Sequence, residues 1–212
     1  MNTKIIAEHK QQLVLTSRQR AILVGLLLGD GHLETQNNGR TYRLKVEHAI
    51  GQKDYVEWLH GEFKEWINTI PYTKEKNGRL YTGFTTYSHG ALRFYAQQFY
   101  VGKKKHMPKL IKKLLSEIAL AVWFMDDGSL KSERHRTYII HTLGFQKSEL
   151  ETVQAALQAL FQLETRLHRQ KEKYWRLYIT AQSARRFEEI VRPILKGFPS
   201  MQKKLSNTVP KK

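Results

Sequence analysis

The chain has 212 residues, of which 41% are hydrophobic, a proportion that excludes a disordered protein and allows one large domain or two small ones. Its net charge of +17 favours nucleic acid as a partner, with ribosome association, anionic membranes and simple solubility as the alternatives. The absence of cysteine excludes disulfides, thiolate zinc sites and cysteine nucleophiles, and fits a reducing compartment.

The N-terminus does not have the pattern of a secretory signal. Residues 1–12 carry charges at Lys4, Glu8 and Lys10 and contain no long apolar core. No apolar run approaches the roughly 20 residues that a membrane-spanning helix needs. We therefore expect an intracellular protein, in a prokaryotic cytoplasm or an organelle matrix, that is neither secreted nor bound to a membrane.

The first half of the chain predicts alternating helices and strand pairs. Thr16 and Gln19 have the spacing of a capping box, which predicts that an apolar helix begins there. Residues 41–47 alternate polar and apolar side chains, as a half-buried strand does. In chain order, the predicted elements are a helix over 16–29, two strands separated by a turn at 36–39, a helix over 54–66, a hairpin over 72–87 that turns at 76–78, and a helix over 91–99.

The second half predicts the same order of elements. They are a helix ending at Met125, strands near Leu130 and over 138–145, a helix over 148–161, strands near 165–169 and over 174–180, and a helix over 184–195. Helix, strand, strand, helix, strand, strand, helix, twice over, predicts an α+β fold with pseudo-twofold symmetry. Because only a short basic connection at 109–117 joins the halves, we expect one compact unit of two lobes, 1–110 and 111–212.

A nine-residue motif occurs once in each half. Residues 23–31 read LVGLLLGDG and residues 120–128 read LAVWFMDDG, so that Asp30 and Asp127 stand 97 positions apart. An apolar helix that ends at Asp-Gly places a carboxylate at the edge of the core, where the backbone can turn away at the glycine. Two such helices side by side would bring two carboxylates together to bind a divalent cation. One Asp-Gly is usually an ordinary turn, but two at equivalent places favour a functional site.

Sequence similarity between the halves continues beyond the motif. Gln52–Lys53 matches Gln146–Lys147 at an offset of 94, and residues 78–81 match residues 175–178 at an offset of 97. Each half then closes on lysine-rich sequence. Insertions in loops explain why the offset varies.

The two motifs resemble those of the LAGLIDADG homing endonucleases, in the single-chain form with two motifs. The first copy keeps Leu23, Gly25, Leu26, Asp30 and Gly31, and the second keeps Leu120, Ala121, Asp127 and Gly128. The departures at Leu28 and Val122 leave the aspartates untouched. This resemblance covers about residues 21–205. It implies paired motif helices between two lobes, a saddle of antiparallel sheets for DNA, and double-strand cleavage near the centre of a long asymmetric target, leaving short 3′ overhangs.

The resemblance also implies the residues of the active site. The implied catalytic residues are Asp30, Asp127, Lys105 and Lys204, and the implied metal ligands are Asp30, Gly29, Asp127 and Asp126. Alignment on the glycines selects Asp127 as the counterpart of Asp30, so Asp126 should face elsewhere. The two lysines would polarise water or the scissile phosphate, although a role as phosphate anchors is equally open. The expected cofactor is Mg²⁺, with Mn²⁺ as a substitute and Ca²⁺ supporting binding without cleavage. Gly25 and Gly29 should let the motif helices approach closely.

The predicted strands supply candidates for DNA recognition, because long polar side chains on a sheet can read base edges in the major groove. The candidate DNA-binding residues are Arg43, Lys45, Glu47, Arg79, Tyr81, Thr85, Tyr87, Lys103, Lys104, Arg176, Tyr178, Thr180 and Lys203. An ordinary exposed sheet face would look similar. The expected partner is double-stranded DNA, with no protein partner required, and the protein should be a monomer because the internal repeat supplies the symmetry of a dimer.

Two other functions fit the same resemblance. One is a maturase, which binds intron RNA and assists splicing, and the other is a DNA-binding protein of this fold that does not cleave. Intact Asp30 and Asp127 favour the nuclease. Because the chain lacks the terminal residues of intein splicing, an intron-encoded or freestanding enzyme that promotes mobility of its host element is the better interpretation.

Overall fold

The computed structural model of the protein describes residues 3–132, 134 and 136–206. The predicted lobes also include residues 1–2, 133, 135 and 207–212, which lie outside the described residues. Each half contains a run of elements in the predicted order αββαββα, flanked by short additional elements, and each contains one four-stranded antiparallel sheet.

The elements of the first half are α1 (Thr3–Gln11), α2 (Ser17–Leu28), β1 (His32–Glu34), β2 (Arg43–Ala49), α3 (Lys53–Glu62), β3 (Tyr72–Lys76), β4 (Arg79–Thr85), α4 (Arg93–Phe99), β5 (Tyr100–Val101) and β6 (Lys104–Lys105). Those of the second half are α5 (Ile111–Leu114), α6 (Glu117–Asp127), β7 (Gly128–Ser132), β8 (Thr137–Ile140), α7 (Lys147–Phe161), β9 (Thr165–Gln170), β10 (Tyr174–Ile179), α8 (Ala181–Leu195) and α9 (Pro199–Gln202). Short 3₁₀ turns cover Ile50–Gln52, Lys64–Trp66 and Gly90–Leu92.

The motif helices α2 and α6 pack against each other at the centre of the molecule. The predicted capping box of α2 is confirmed, since Thr16 Oγ1 accepts the Gln19 N–H at 3.1 Å and Gln19 Oε1 accepts the Thr16 N–H at 3.0 Å. At the start of α6, Ser116 Oγ accepts the Ala119 N–H at 3.2 Å, without the reciprocal bond of a capping box. Both helices are buried on nearly all sides because each packs on its own sheet and on the other helix.

The two sheets have matching topology, with strand orders β1-β2-β4-β3 and β7-β8-β10-β9. In β2, Leu44 and Val46 are buried under the helices while the alternate side chains remain accessible, as the alternation predicted. The predicted turn between β3 and β4 is also confirmed. Asn77 and Gly78 have φ values of 53° and 71°, which suit the two-residue hairpin turn that Asn-Gly favours.

Some predicted boundaries and connections differ from the structure. The helix expected over 54–66 ends at Glu62, because the backbone there continues as a 3₁₀ turn. The basic connection at 109–117 contains α5, whose Ile111 is buried. The sequence analysis also missed α1, α9 and the small β5–β6 ladder. Within the described residues, no helix is both long and apolar enough to span a membrane.

Strand pairing corrects the internal alignment of the repeat. Val46 pairs with Phe84 in the first sheet, and Ile140 pairs with Leu177 in the second. Phe84 is therefore the counterpart of Leu177, at an offset of 93 and not 97, and Thr85 is the counterpart of Tyr178. The number of positions between counterparts in the two halves decreases along the sequence, because the connection between the first two strands is longer in the first half.

The halves also exchange terminal contacts. In the first half, Asp54 of α3 accepts hydrogen bonds from the N–H and Oγ of Ser200, at 3.0 and 2.5 Å. In the second half, Glu149 of α7 contacts His106 Nδ1 and accepts the Met107 N–H, both at 3.0 Å. Each half thus binds a segment that belongs to the other half, which fixes the two lobes relative to one another.

Candidate active site

Two glycines of α2 allow the motif helices to touch. A Cβ on Gly25 would lie 2.6 Å from both the Ala119 carbonyl oxygen and Val122 Cβ. A Cβ on Gly29 would lie 2.5 Å from Asp126 Cβ. The prediction that these glycines permit a close approach is confirmed, and it brings the two Asp-Gly ends together.

The final glycine of each motif has a different role from the one predicted. Neither Gly31 nor Gly128 has a positive φ, and φ of Gly128 is −86°, so the backbone does not need glycine for its conformation. A Cβ on Gly128 would instead lie 1.9 Å from Phe124 Cδ2, and one on Gly31 would lie 2.8 Å from Leu26 Cβ. These positions require glycine because no space exists for a side chain.

Three carboxyl groups meet where the helices end. The Asp30 side chain is 53% exposed, whereas that of Asp126 has no exposed surface. Asp126 Oδ2 accepts the backbone N–H of Asp30 at 2.9 Å, so Asp126 faces the opposite motif and occupies the space next to Gly29. Burial, together with the charges of Asp126 and Asp30, raises the pKa of Asp127 to about 8. Burial and the charge of Asp30 raise the pKa of Asp126 to about 7.

Two buried side chains that the sequence analysis missed complete the first half of this site. The Tyr55 hydroxyl donates to Asp126 Oδ1 at 2.8 Å. His48, 2% exposed, lies with Nδ1 3.7 Å from Asp30 Oδ2 and Nε2 3.7 Å from Asp126 Oδ1. Burial lowers the pKa of His48 although Asp30 opposes that shift. No sequence motif marks either residue, because both look like ordinary core positions of β2 and α3.

The two lysines singled out by the sequence lie at equivalent places beside the acids. Lys105 Nζ donates to the Gly29 carbonyl at 2.5 Å, and Lys204 Nζ donates to the Met125 carbonyl at 2.5 Å and the Asp126 carbonyl at 3.2 Å. Burial lowers the pKa of both lysines, while the three aspartates oppose that shift. The structure therefore brings both lysines to the ends of the motif helices.

The carboxyl groups at this place have the chemistry that a hard divalent cation prefers. No group of three or more acidic, histidine or cysteine side chains among the described residues is arranged as a complete metal site. Magnesium, however, retains several waters and needs only one or two protein carboxylates beside substrate phosphates. Asp30 and Asp127 are two carboxyl groups of this kind. Burial is the main cause of the raised pKa of Asp127; the charges of Asp126 and Asp30 add to the shift, and Lys105 and Lys204 oppose it.

The face of the first sheet opposite the helices is polar and partly exposed. Residues paired across strands share a face, so His32, Lys45 and Thr85 lie in one row. This face also carries the predicted Arg43, Glu47, Arg79 and Tyr81, and the unpredicted Glu34, Tyr72, Lys74 and Lys76. Two of the predicted residues already have protein partners: Arg43 Nε lies 2.6 Å from Glu34 and Glu47 lies 2.6 Å from Lys74.

The second sheet presents an equivalent face that includes the predicted Arg176 and Tyr178. Strand pairing adds Gln170, His168 and Arg166 of β9, which the sequence analysis did not select. The Tyr178 ring lies 4.0 Å from the His168 ring and 4.5 Å from Lys131 Nζ, forming an aromatic and cationic surface. Such a surface suits both phosphate and base contacts.

The remaining candidates lie off the two sheet faces. Thr180 follows β10 and its hydroxyl donates to the Glu164 carbonyl at 3.3 Å, because α8 begins there. Tyr87 lies beyond β4, with its ring 5.9 Å from His9 and 6.0 Å from Lys10 Nζ of α1. Both predictions assumed that the strands were longer than they are. Lys103, Lys104 and Lys203 are exposed and lie next to Lys105 and Lys204 in the sequence.

Comparison with known proteins identifies the family of this chain. A profile of the LAGLIDADG DNA endonuclease family matches residues 20–187. The chain is 28% identical to "Probable intron-encoded endonuclease 1" of Wickerhamomyces canadensis, over 96% of this chain and 91% of that protein. It is 28% identical to the DNA endonuclease I-ChuI of Chlamydomonas applanata, over 85% of this chain and 92% of that protein. Its fold matches the homing endonuclease I-WcaI bound to its DNA recognition sequence, with a TM-score of 0.88 and 26% sequence identity. The match covers 98% of this chain and 95% of that chain. The chain belongs to the LAGLIDADG DNA endonuclease family.

Proposed function

We propose that this member of the LAGLIDADG family is a homing endonuclease, which cuts both strands of a long, asymmetric duplex DNA in a reaction that depends on a divalent metal. Two lobes, 1–110 and 111–212, would each contact one half of the target. The observation that carries the proposal is the meeting of Asp30 and Asp127 at the ends of two touching helices, each end with its own partly buried lysine.

Several groups of the chain have defined tasks in this reaction. Asp30 and Asp127 would hold the metal, and a bound magnesium ion would supply an activated water and stabilise charge on the phosphate. Lys105 and Lys204 donate to backbone carbonyls at the helix ends, and in this reaction their two ammonium groups would lie beside the scissile phosphates. These ammonium groups favour the extra negative charge that develops during hydrolysis. The two polar sheet faces would bind the duplex on either side of the cut.

The test uses a plasmid library with randomised inserts, incubated with the protein and Mg²⁺, from which cleaved sites are recovered. Wild type should give linear product at one family of related sites. Asp30→Asn and Asp127→Asn should abolish double-strand cleavage while leaving affinity for the recovered site within a few-fold, because neither aspartate is placed to bind the sheet-facing DNA. Linear product from Asp127→Asn at the wild-type rate would refute the proposal.

Cleavage of the plasmid would also distinguish a nuclease from the two alternative functions, the maturase and the non-cleaving DNA-binding protein. A maturase without nuclease activity and a non-cleaving DNA-binding protein both predict that the plasmid stays intact. The monomeric state and the intracellular location stay predictions. Sedimentation of the free protein tests the first, since an obligate dimer would be incompatible with one chain supplying both motifs.

A further inference from the structure

The three aspartates are not arranged symmetrically. Asp126 occupies the place that Gly29 has in the first motif. The paired strands and the first residues of α3 and α7 align the two halves at an offset of 94. In this alignment Thr142 is the counterpart of His48, and Glu149 is the counterpart of Tyr55.

Neither counterpart reproduces the contacts of the first half. Thr142 donates to the Trp175 carbonyl at 2.9 Å, and Glu149 accepts the N–H groups of Gln146 and Met107. The contact set of His48, Tyr55 and Asp126 therefore belongs to one half of the site only.

Asp126 is fixed from two directions. Its Oδ1 accepts the Tyr55 hydroxyl, and its Oδ2 accepts the Asp30 N–H. The Tyr55 ring is in turn held between neighbours, with centroids 5.2 Å from His48, 5.9 Å from Trp58 and 5.8 Å from Phe198. A fully buried carboxylate held in this way fixes the backbone of the residue that carries the first metal-binding side chain.

His48 strengthens the same arrangement. It lies between the Asp30 and Asp126 carboxyl groups, 3.7 Å from each, and its Nε2 makes no hydrogen bond among the described residues. A buried polar atom without a partner is costly, so its position between two carboxyl groups points to a role in placing them.

We propose that Asp126, held by Tyr55, is a positioning residue for Asp30 and makes the two halves of the cleavage site unequal, so that the cut of one DNA strand depends on this contact set and the cut of the other does not. Here Asp126 acts through Asp30, and metal binding is left to Asp30 and Asp127. This inference rests on the proposed nuclease function, because it concerns the relative rates of two cuts in the same target.

The test measures both strands separately, on the site recovered from the plasmid library and labelled on either strand. Tyr55→Phe keeps the ring and removes the hydroxyl, and Asp126→Asn keeps the shape and removes one acceptor. Both variants should slow the same strand by about tenfold relative to the other, as expected for the loss of one hydrogen bond to a charged group, and nicked circles should accumulate when the site is carried on a plasmid. Tyr100→Phe is the matched control, since the Tyr100 hydroxyl accepts the Leu33 N–H and does not reach the acids. It should leave the ratio of the two rates unchanged.

Hydrogen exchange of the Asp30 amide, measured on the free protein without metal or DNA, gives a second readout. Exchange should be about tenfold faster in Asp126→Ala than in wild type, because the acceptor is gone while the Cβ that packs on Gly29 remains. Equal slowing of both strands, opposite strand preferences of the two variants, or unchanged exchange of the Asp30 amide would each overturn the inference. A wild-type protein that leaves every plasmid intact would instead refute the nuclease function, whatever the exchange result.

Discussion

Replacing Gly25 with alanine should destabilise the protein, although the same change usually stabilises a helix. Alanine is favoured over glycine inside a helix by about 1 kcal/mol. The new Cβ would however lie 2.6 Å from the Ala119 carbonyl oxygen and from Val122 Cβ, and neither group can rotate away. Overpacking of this kind costs about 1–3 kcal/mol. Because the obstacles are rigid, we take about 3 kcal/mol as the cost of overpacking. After the gain in helix preference, we expect the free energy of unfolding to fall by about 2 kcal/mol.

The assay is thermal and urea unfolding of Gly25→Ala beside a matched control. Gly61 lies in α3, and no atom stands within 4 Å of the position that a Cβ would take there, so Gly61→Ala should gain about 0.5–1 kcal/mol. The loss at Gly25 corresponds to a fall in Tm of about 4–8 °C for a protein of this size. Cleavage should fall as well, because the helices that carry Asp30 and Asp127 must separate. Gain of stability in both variants would refute the reasoning about helix contact.

Three further predictions concern DNA, metal and pH. If about ten phosphates are neutralised, the logarithm of the affinity should fall with the logarithm of salt concentration with a slope near −9, and a slope shallower than about −3 in filter binding would contradict contact along both sheets. Calcium in place of magnesium should support tight binding without cleavage, which gel assays of both activities would show; efficient cleavage in calcium or in chelator would contradict a metal mechanism. Burial alone would raise the pKa of Asp54, but the hydrogen bonds from Ser200 lower it below its ordinary value. The ionised Asp54 therefore stabilises the folded protein above the pKa that it has in the unfolded chain. This stabilisation is lost as the pH falls through the folded-state pKa. Urea unfolding should therefore show Asp54→Asn to be less stable than wild type at neutral pH, with a gap that shrinks in acid; a gap independent of pH would contradict this assignment.

Features with a local physical cause could be predicted from the sequence. The capping box at Thr16 and Gln19 needs only neighbouring residues, and the turn at Asn77–Gly78 needs only two residues that tolerate positive φ. Asp30 and Asp127 could also be predicted as site residues, since each ends an apolar run at the same place in a repeat. The sequence therefore predicted the order of elements and the acids at the helix ends.

Features that depend on packing between distant residues could not be predicted. The match of residues 78–81 with 175–178 is an accident of similar letters, and only hydrogen-bonded pairing shows that Thr85 is the counterpart of Tyr178. Asp126 was expected to face away, because a helix seen alone places neighbours about 100° apart. The close approach at Gly29 leaves room for the Asp126 side chain to reach the Asp30 backbone, which no single-helix argument could show.

The exchanged terminal contacts have a consequence for recombination between relatives. The segment around Ser200 belongs to the second half of the sequence but packs on α3 of the first lobe, where Phe198 contacts Tyr55 and Trp58. A chimera joined near residue 110 would keep each sheet and motif helix intact yet match α3 with a foreign partner segment. Viable hybrids should therefore carry residues 198–202 together with the first half, so the unit that can be inherited intact is discontinuous in the gene.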